Sequence, residues 1–399
     1  MQNPKLISLL KSLDQNEFRQ FRDFVYSPAF NKNKNVIALF DALRNFYPDF
    51  NSDELTDENL FAKLFKNEKF DYFKIKNIIS DLLMLGKEFL SFIKYKKDNY
   101  LKERFLLEEL RMRSLDTIYE QTYKMAAKRL DNTVVKDENY FLKKADMVNE
   151  ITSYYSPKKP NVNFHYMQER LDLFVNYSVT MLLKIYNIIL HEESQNNYDF
   201  NLKMFEDIMN YLKNNTIDDN PTLLVYYYII LLKTEKSDKY FYELKMMKEK
   251  YKDKLSSYDK YMIYLHMDSY CATSFNQFGR TDLLEEQFIL AKENSIINST
   301  ELGKILYPDF LNEIKKAVRV NEFDWAEAYI NKNKVRLTEE KENTLNFCYG
   351  MINYKKGNLD AALDFFSKAN FPIFIIKVQV KILLLQLYYE KKYYDQAIL

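Results

Sequence analysis

The sequence predicts an all-α protein, and three observations carry that prediction. The five glycines and eight prolines are about 3% of the 399 residues, against roughly 12% in ordinary usage, and sheets or barrels need far more turn residues. Apolar side chains recur at steps of three and four along most of the chain, the period of a helix with one buried face. Near the C-terminal end a small residue returns at a nearly constant interval, at Ala326, Ala362 and Ala397.

Residues 1–97 read as an N-terminal helical bundle. Leu6, Leu9, Leu10 and Leu13 line one face of a first helix, and Asp14 followed by Glu17 is a capping box that starts a second. SPAFNKN ends it. Val36, Leu39, Phe40 and Leu43 mark a third helix, and Leu60, Leu64 and Phe65 a short fourth. A long fifth carries Ile75, Ile79, Leu82, Gly86, Phe89 and Ile93, a seam for packing against other helices.

Residues 98–160 form helical hairpins and a linker, with helices expected over about 101–113, 115–130 and 137–155. SPKKP interrupts the chain and places a boundary near Pro160. Residues 161–302 are a repeat-like middle of further hairpins. Phe164, Met167, Leu171, Phe174, Leu182, Ile185 and Ile189 describe one long amphipathic helix, or two with a kink. Helices near 199–213, 221–233 and 237–251 follow. The run LLVYYYIILL at 223–232 is apolar on every face and must be buried on all sides.

Residues 303–399 carry the clearest pattern. In NTLNFCYGMINYKKGNLDAALDFFSKA, the residues Gly350, Tyr354, Gly357, Asp360, Ala362, Phe366 and Ala369 fall where two antiparallel helices joined by a tight turn would need them. Gly357 supplies the left-handed turn, and Asn358 is positioned to cap the next helix. Gly350 and Ala362 lack bulk where the two helices face each other. The second-helix pattern recurs at FDWAEAYI (Phe323, Asp324, Ala326) and at YYDQAIL (Tyr394, Asp395, Ala397). The upstream copy has Ile314 at the small position and no turn glycine; the downstream copy has Leu385 and Lys392 there. A fainter echo with Gly279 as its turn precedes them.

This arrangement resembles the tetratricopeptide repeat, whose period is about 34 residues, although Asn346 stands where that family often has tryptophan. The resemblance implies a helical-hairpin superhelix, a TPR-like α-solenoid, following the N-terminal bundle. It further implies that first helices of successive repeats line a concave groove. Carried onto this chain, the groove positions are Leu311, Lys315, Val318 and Arg319; Phe347, Met351, Tyr354 and Lys355; and Ile382, Gln386, Tyr389 and Glu390. Phe347 and Met351 replace the polar clamp with which some family members hold a terminal carboxylate, so a partner helix or extended peptide suits this groove better. The final repeat stops at Leu399 soon after its second helix begins. Either a longer natural chain continues or an oligomer contact covers that end.

Composition and motifs argue against other classes. Fifty-eight basic and 57 acidic side chains leave a net charge of +1, so no bulk field draws nucleic acid or anionic lipid. The first 95 residues hold 14 bases and 13 acids, too balanced for a reader of duplex DNA. The longest uninterrupted apolar run has ten residues, about half of a membrane span, and a cytoplasmic protein is expected. No two of the five glycines are nearer than seven residues, which excludes phosphate-cradling loops and leaves no cofactor implied. His165, His191 and His266 are dispersed, so no metal site is expected. Cys271 and Cys348 lie within helical patterns, as core thiols do. No nucleophile elbow or catalytic signature occurs, and no catalytic residue is assigned.

The expected function is therefore non-enzymatic: a scaffold or adaptor that binds a protein or peptide partner through Lys315, Arg319, Phe347, Met351, Tyr354, Lys355, Gln386 and Tyr389. The alternative is a regulator whose N-terminal bundle contacts nucleic acid while the repeats sense a peptide.

Overall fold

The computed structural model describes residues 4–158, 163–196, 198–215, 220–301, 303–337 and 339–395. The described residues form helices with no strand, apart from one isolated bridge between Ile305 and Leu337. The chain divides into two compact units, Met1–Arg129 and Leu130–Leu399.

The first unit holds α1 (Pro4–Ser12), α2 (Gln15–Tyr26), α3 (Lys34–Arg44), α4 (Asp57–Leu64), α5 (Tyr72–Lys97), α6 (Asn99–Met112) and α7 (Asp116–Asp131), in whose last turn the second unit begins. Asp14 and Glu17 make the reciprocal capping box at the start of α2. α5 packs against α1, α2, α3 and α4, and the seam read from its sequence is what does so: Ile75, Ile79, Leu82 and Phe89 are buried. A methyl group at Gly86 would stand 2.9 Å from Leu9 Cδ2, so the bare backbone there lets α1 lie close on α5. Phe21, Phe40, Phe61 and Phe89 fill the centre with no exposed surface to speak of.

The second unit is longer: α8 (Glu138–Tyr155), α9 (Asn163–Gln195), α10 (Phe205–Asn214), α11 (Pro221–Glu235), α12 (Asp238–Lys250), α13 (Ser257–Phe278), α14 (Asp282–Glu301), α15 (Tyr307–Arg319), α16 (Phe323–Asn333), α17 (Lys341–Lys355), α18 (Leu359–Ser367) and α19 (Phe374–Glu390). Sequence neighbours pack as pairs, α8 on α9, α11 on α12, α13 on α14, α15 on α16 and α17 on α18. Pairs also touch the next pair, through α9 with α11, α11 with α13, α14 with α15, α15 with α17 and α18 with α19. α9 is a single helix without a break. Every residue of α11 from Pro221 to Lys233 is buried or half-buried, as its apolar run requires. Pro160 lies outside the described residues, as does Ala397 of the last repeat copy.

The turns that end α15, α17 and α19 share one device, which also ends α6 at Ser114 (φ 56°). Gly357 has φ 81° and, where the sequence offers no glycine, Asn321 (φ 62°) and Lys392 (φ 61°) take the same left-handed conformation. In each case the following amide reaches back five residues: Asn358 N–H to the Asn353 carbonyl at 2.9 Å, Glu322 to Ala317 at 3.0 Å, and Tyr393 to Tyr388 at 2.8 Å. The left-handed residue donates to the carbonyl three before it, completing a Schellman cap. One expectation is corrected here. Asn358 does not cap α18 with its side chain; its Nδ2 donates to Asn353 Oδ1 at 3.2 Å instead, across the turn.

At the crossing of α17 and α18, Ala362 is fully buried, and Gly350 faces the ring of Phe366, whose Cε1 would lie 2.7 Å from any added Cβ. The room left by glycine is thus taken by an aromatic ring, which also meets Phe347 edge-on with centroids 5.7 Å apart.

α9 bears on the membrane question. The segment Phe164–Glu193 is long and apolar enough to cross a bilayer, the one such helix among the described residues, although its apolar residues are not consecutive. It also carries Lys184, whose ammonium lies 2.6 Å from Glu138 and 3.0 Å from Asp259, and it buries Thr180 and Asn187.

Candidate functional site

α15 has two faces with different tasks. Phe310, Leu311, Ile314, Ala317 and Val318 are buried in the core of the second unit. Lys315 and Arg319, one turn apart, face a cavity of about 450 Å³, together with Asn312 and Lys316. Asp268, Ala272 and Asn276 of α13, Gln287 of α14, Phe347 and Met351 of α17, and Gln379, Ile382 and Leu383 of α19 complete its lining. The first helices of three successive pairs, α13, α15 and α17, and α19 after them therefore meet around one space.

One wall of that space is a buried ionic cluster. The Lys316 ammonium lies 2.9 Å from Asp268, 2.9 Å from Glu313 and 2.6 Å from the Tyr264 hydroxyl. Tyr264 in turn donates to Glu313 at 2.6 Å, and Gln287 Nε2 donates to Asp268 at 3.1 Å. Burial alone would lower the Lys316 pKa, but Glu313 and Asp268 outweigh it and raise the value. Burial pushes Tyr264 upward, with the Glu313 charge adding to it. Burial likewise raises Glu313, against the pull of Lys316. This cluster ties α13, α14 and α15 together and holds the wall in place.

The opposite situation holds one residue away. Lys315 Nζ donates to Gln379 Oε1 at 2.8 Å and lies 5.3 Å from the centroid of Phe347. Burial, with Arg319 nearby, lowers its pKa to about 8. The Arg319 guanidinium lies 5.3 Å from the Phe275 ring, and burial lowers its pKa too. Among the described residues neither cation forms an ion pair. Two positive charges thus stand at the edge of a partly apolar hollow whose one lining carboxylate, Asp268, is already engaged by Lys316 and acts on Arg319 without an ion pair, an arrangement that leaves Lys315 to attract a negative group attached to an apolar body.

Of the residues read from the sequence, Lys315, Arg319, Phe347 and Met351 come together at this cavity. Tyr354 does not join its lining; its hydroxyl donates to Glu390 at 2.6 Å. Lys355, Gln386 and Tyr389 are exposed and also outside it. Leu311 and Val318, placed in the groove by repeat register, belong to the core. The α13 and α14 contributions were missed. Gly279 marked that hairpin, but its distance to the next turn exceeds a repeat length, so register could not be carried back to Asp268 or Ala272.

No three histidine, cysteine or carboxylate side chains gather as metal ligands among the described residues. Both thiols are buried, and burial raises Cys271 to about 12 and Cys348 further, which keeps them protonated and poorly nucleophilic. Comparison with protein-family models, with curated proteins and with solved structures finds no match.

Proposed function

We propose that the chain is a non-enzymatic interaction scaffold, a TPR-like α-solenoid in which α13, α15, α17 and α19 line a concave groove that holds a peptide or partner helix. One observation carries this reading: successive helices converge on a hollow where Lys315 has only a neutral amide as its hydrogen-bond partner and Arg319 stacks on Phe275, beside Met351, Ile382 and Leu383. The Schellman turns that end α15, α17 and α19 support a regular course of these helices. Methionine and branched aliphatic side chains adapt to varied apolar partners, while the two cations fix where an acidic residue sits.

The test is selection of peptides from a random display library on the full chain, followed by titration against variants. Selected peptides are expected to bind Lys315→Met/Arg319→Met and Met351→Glu at least tenfold more weakly than the unaltered protein, with the lysine–arginine variant's melting temperature not lowered. Failure to select any peptide, or equal binding by the variants, overturns the reading.

A further inference from the structure

A second, larger cavity of about 1080 Å³ lies between α9, α11 and α13, in the size range of small-molecule sites. Ile188, Leu190, Leu232, Met262, Leu265 and Phe278 give it apolar walls. Its charged residues are mostly engaged. Arg280 is held by Asp238 at 3.0 Å and Asp282 at 2.6 Å, Tyr270 donates to Asp238 at 2.5 Å, and Asp268 serves Lys316 at 2.9 Å. Lys233 differs. Its ammonium donates to the Asn187 main-chain carbonyl at 3.1 Å and has no ion pair among the described residues. Beside it, His266 Nε2 and Asn187 Oδ1 are enclosed without hydrogen-bond partners, and His191 lines the same wall.

We propose that this cavity binds a small organic carboxylate with an apolar body, its carboxylate meeting Lys233 and its body lying against Ile188, Met262 and Leu265. A desolvated ammonium with no counter-charge is costly, and an incoming anion removes that cost. Burial lowers Lys233 to about 8 and His266 to about 3, the behaviour of a wall short of negative charge. A phosphate fits less well. It calls for several convergent donors or a free guanidinium, and Arg280 is already spanned by two aspartates.

Calorimetric titration of the full chain with octanoate, octan-1-ol and inorganic phosphate tests this. Octanoate should bind saturably and at least tenfold more tightly than octan-1-ol, and phosphate should neither bind nor compete. Lys233→Met should weaken octanoate at least tenfold, and Lys233→Arg should retain it. Equal binding of acid and alcohol, competition by phosphate, or indifference to Lys233→Met overturns the proposal. If Lys233→Met does not fold, by circular dichroism, the comparison of acid with alcohol on the unaltered chain decides. The groove reading stands or falls separately, because its variants lie on α15 and α17.

Discussion

Lys315 and Lys316 are consecutive residues of one helix, and they have opposite fates. Lys316 points into a largely buried cluster with two carboxylates and a tyrosine hydroxyl. Lys315 points into a hollow where its hydrogen-bond partner is a neutral amide. A helix turns by 100° per residue, so adjacent positions serve different neighbours, and the neighbours decide the role. The charge at 316 belongs to the architecture, whereas the charge at 315 is left over by it. A charge left over in a partly enclosed place is the better indicator of a ligand.

The sharpest way to break this comparison is to remove each charge in turn. Lys316→Met strands Glu313 and Asp268 in a buried setting and should cost about 3–5 kcal/mol, the usual loss when one partner of a buried pair is deleted. Lys315→Met removes a desolvated cation and should change stability by less than about 0.5 kcal/mol or raise it. Urea unfolding monitored by circular dichroism measures both. Similar losses would mean that the two faces of α15 do not differ as described.

A second contrast is between Ala362, read correctly as a position with no room, and Gly350, whose partner was not foreseen. Ala362→Leu should overpack the α17–α18 crossing and cost about 1–3 kcal/mol. Gly350→Ala should cost a comparable amount because Phe366 would have to move. The melting temperature reports each, and an unchanged value for Ala362→Leu would contradict the packing.

What the sequence made legible was whatever depends on residues close together in the chain. The capping box at Asp14, the turn at Gly357 and the seam of α5 are all of this kind. The turns at Asn321 and Lys392 were harder to read, because a left-handed residue there is imposed by the Schellman hydrogen bonds and not announced by glycine. The cavity was half legible. α15 and α17 are one interval of the recurring sequence pattern apart, so its register pointed to Lys315, Arg319, Phe347 and Met351. The α13 wall follows a longer interval, and the pairing of Lys316 with Asp268 spans elements whose contact no local pattern encodes.

The two unpaired lysines also predict a pH dependence. Lys315 and Lys233 fall from an ordinary 10.5 to about 8 in the folded chain. Between those values the unfolded chain binds more protons, so stability rises as pH increases from 8 toward 10, by at most about 1.4 kcal/mol per pH unit for each group. Above 10, Tyr264 and Tyr226, both raised by burial, reverse the trend, because only the unfolded chain ionises readily. His266, lowered to about 3, gives a second window, with stability lost as pH falls from 6.5. Lys315→Met and His266→Leu should each flatten their own window in urea midpoints measured across pH. A profile unchanged by both variants would contradict these assignments.

The smallest effects distinguish the Schellman turns that end α15, α17 and α19 from one another. An L-residue held in the left-handed region costs about 1–2 kcal/mol, less for asparagine, and glycine avoids that cost while losing more chain entropy on folding. Gly357→Ala should therefore destabilise by about 1 kcal/mol, and nothing within 4 Å of the new methyl group would add to that. Lys392→Gly should stabilise by a similar or smaller amount, and Asn321→Gly by only a few tenths of a kcal/mol. Melting temperatures in that order would show the same backbone strain at all three turns, relieved to different degrees by different side chains. Destabilisation by Lys392→Gly would instead mean that its side chain does more for the last pair than its backbone conformation costs.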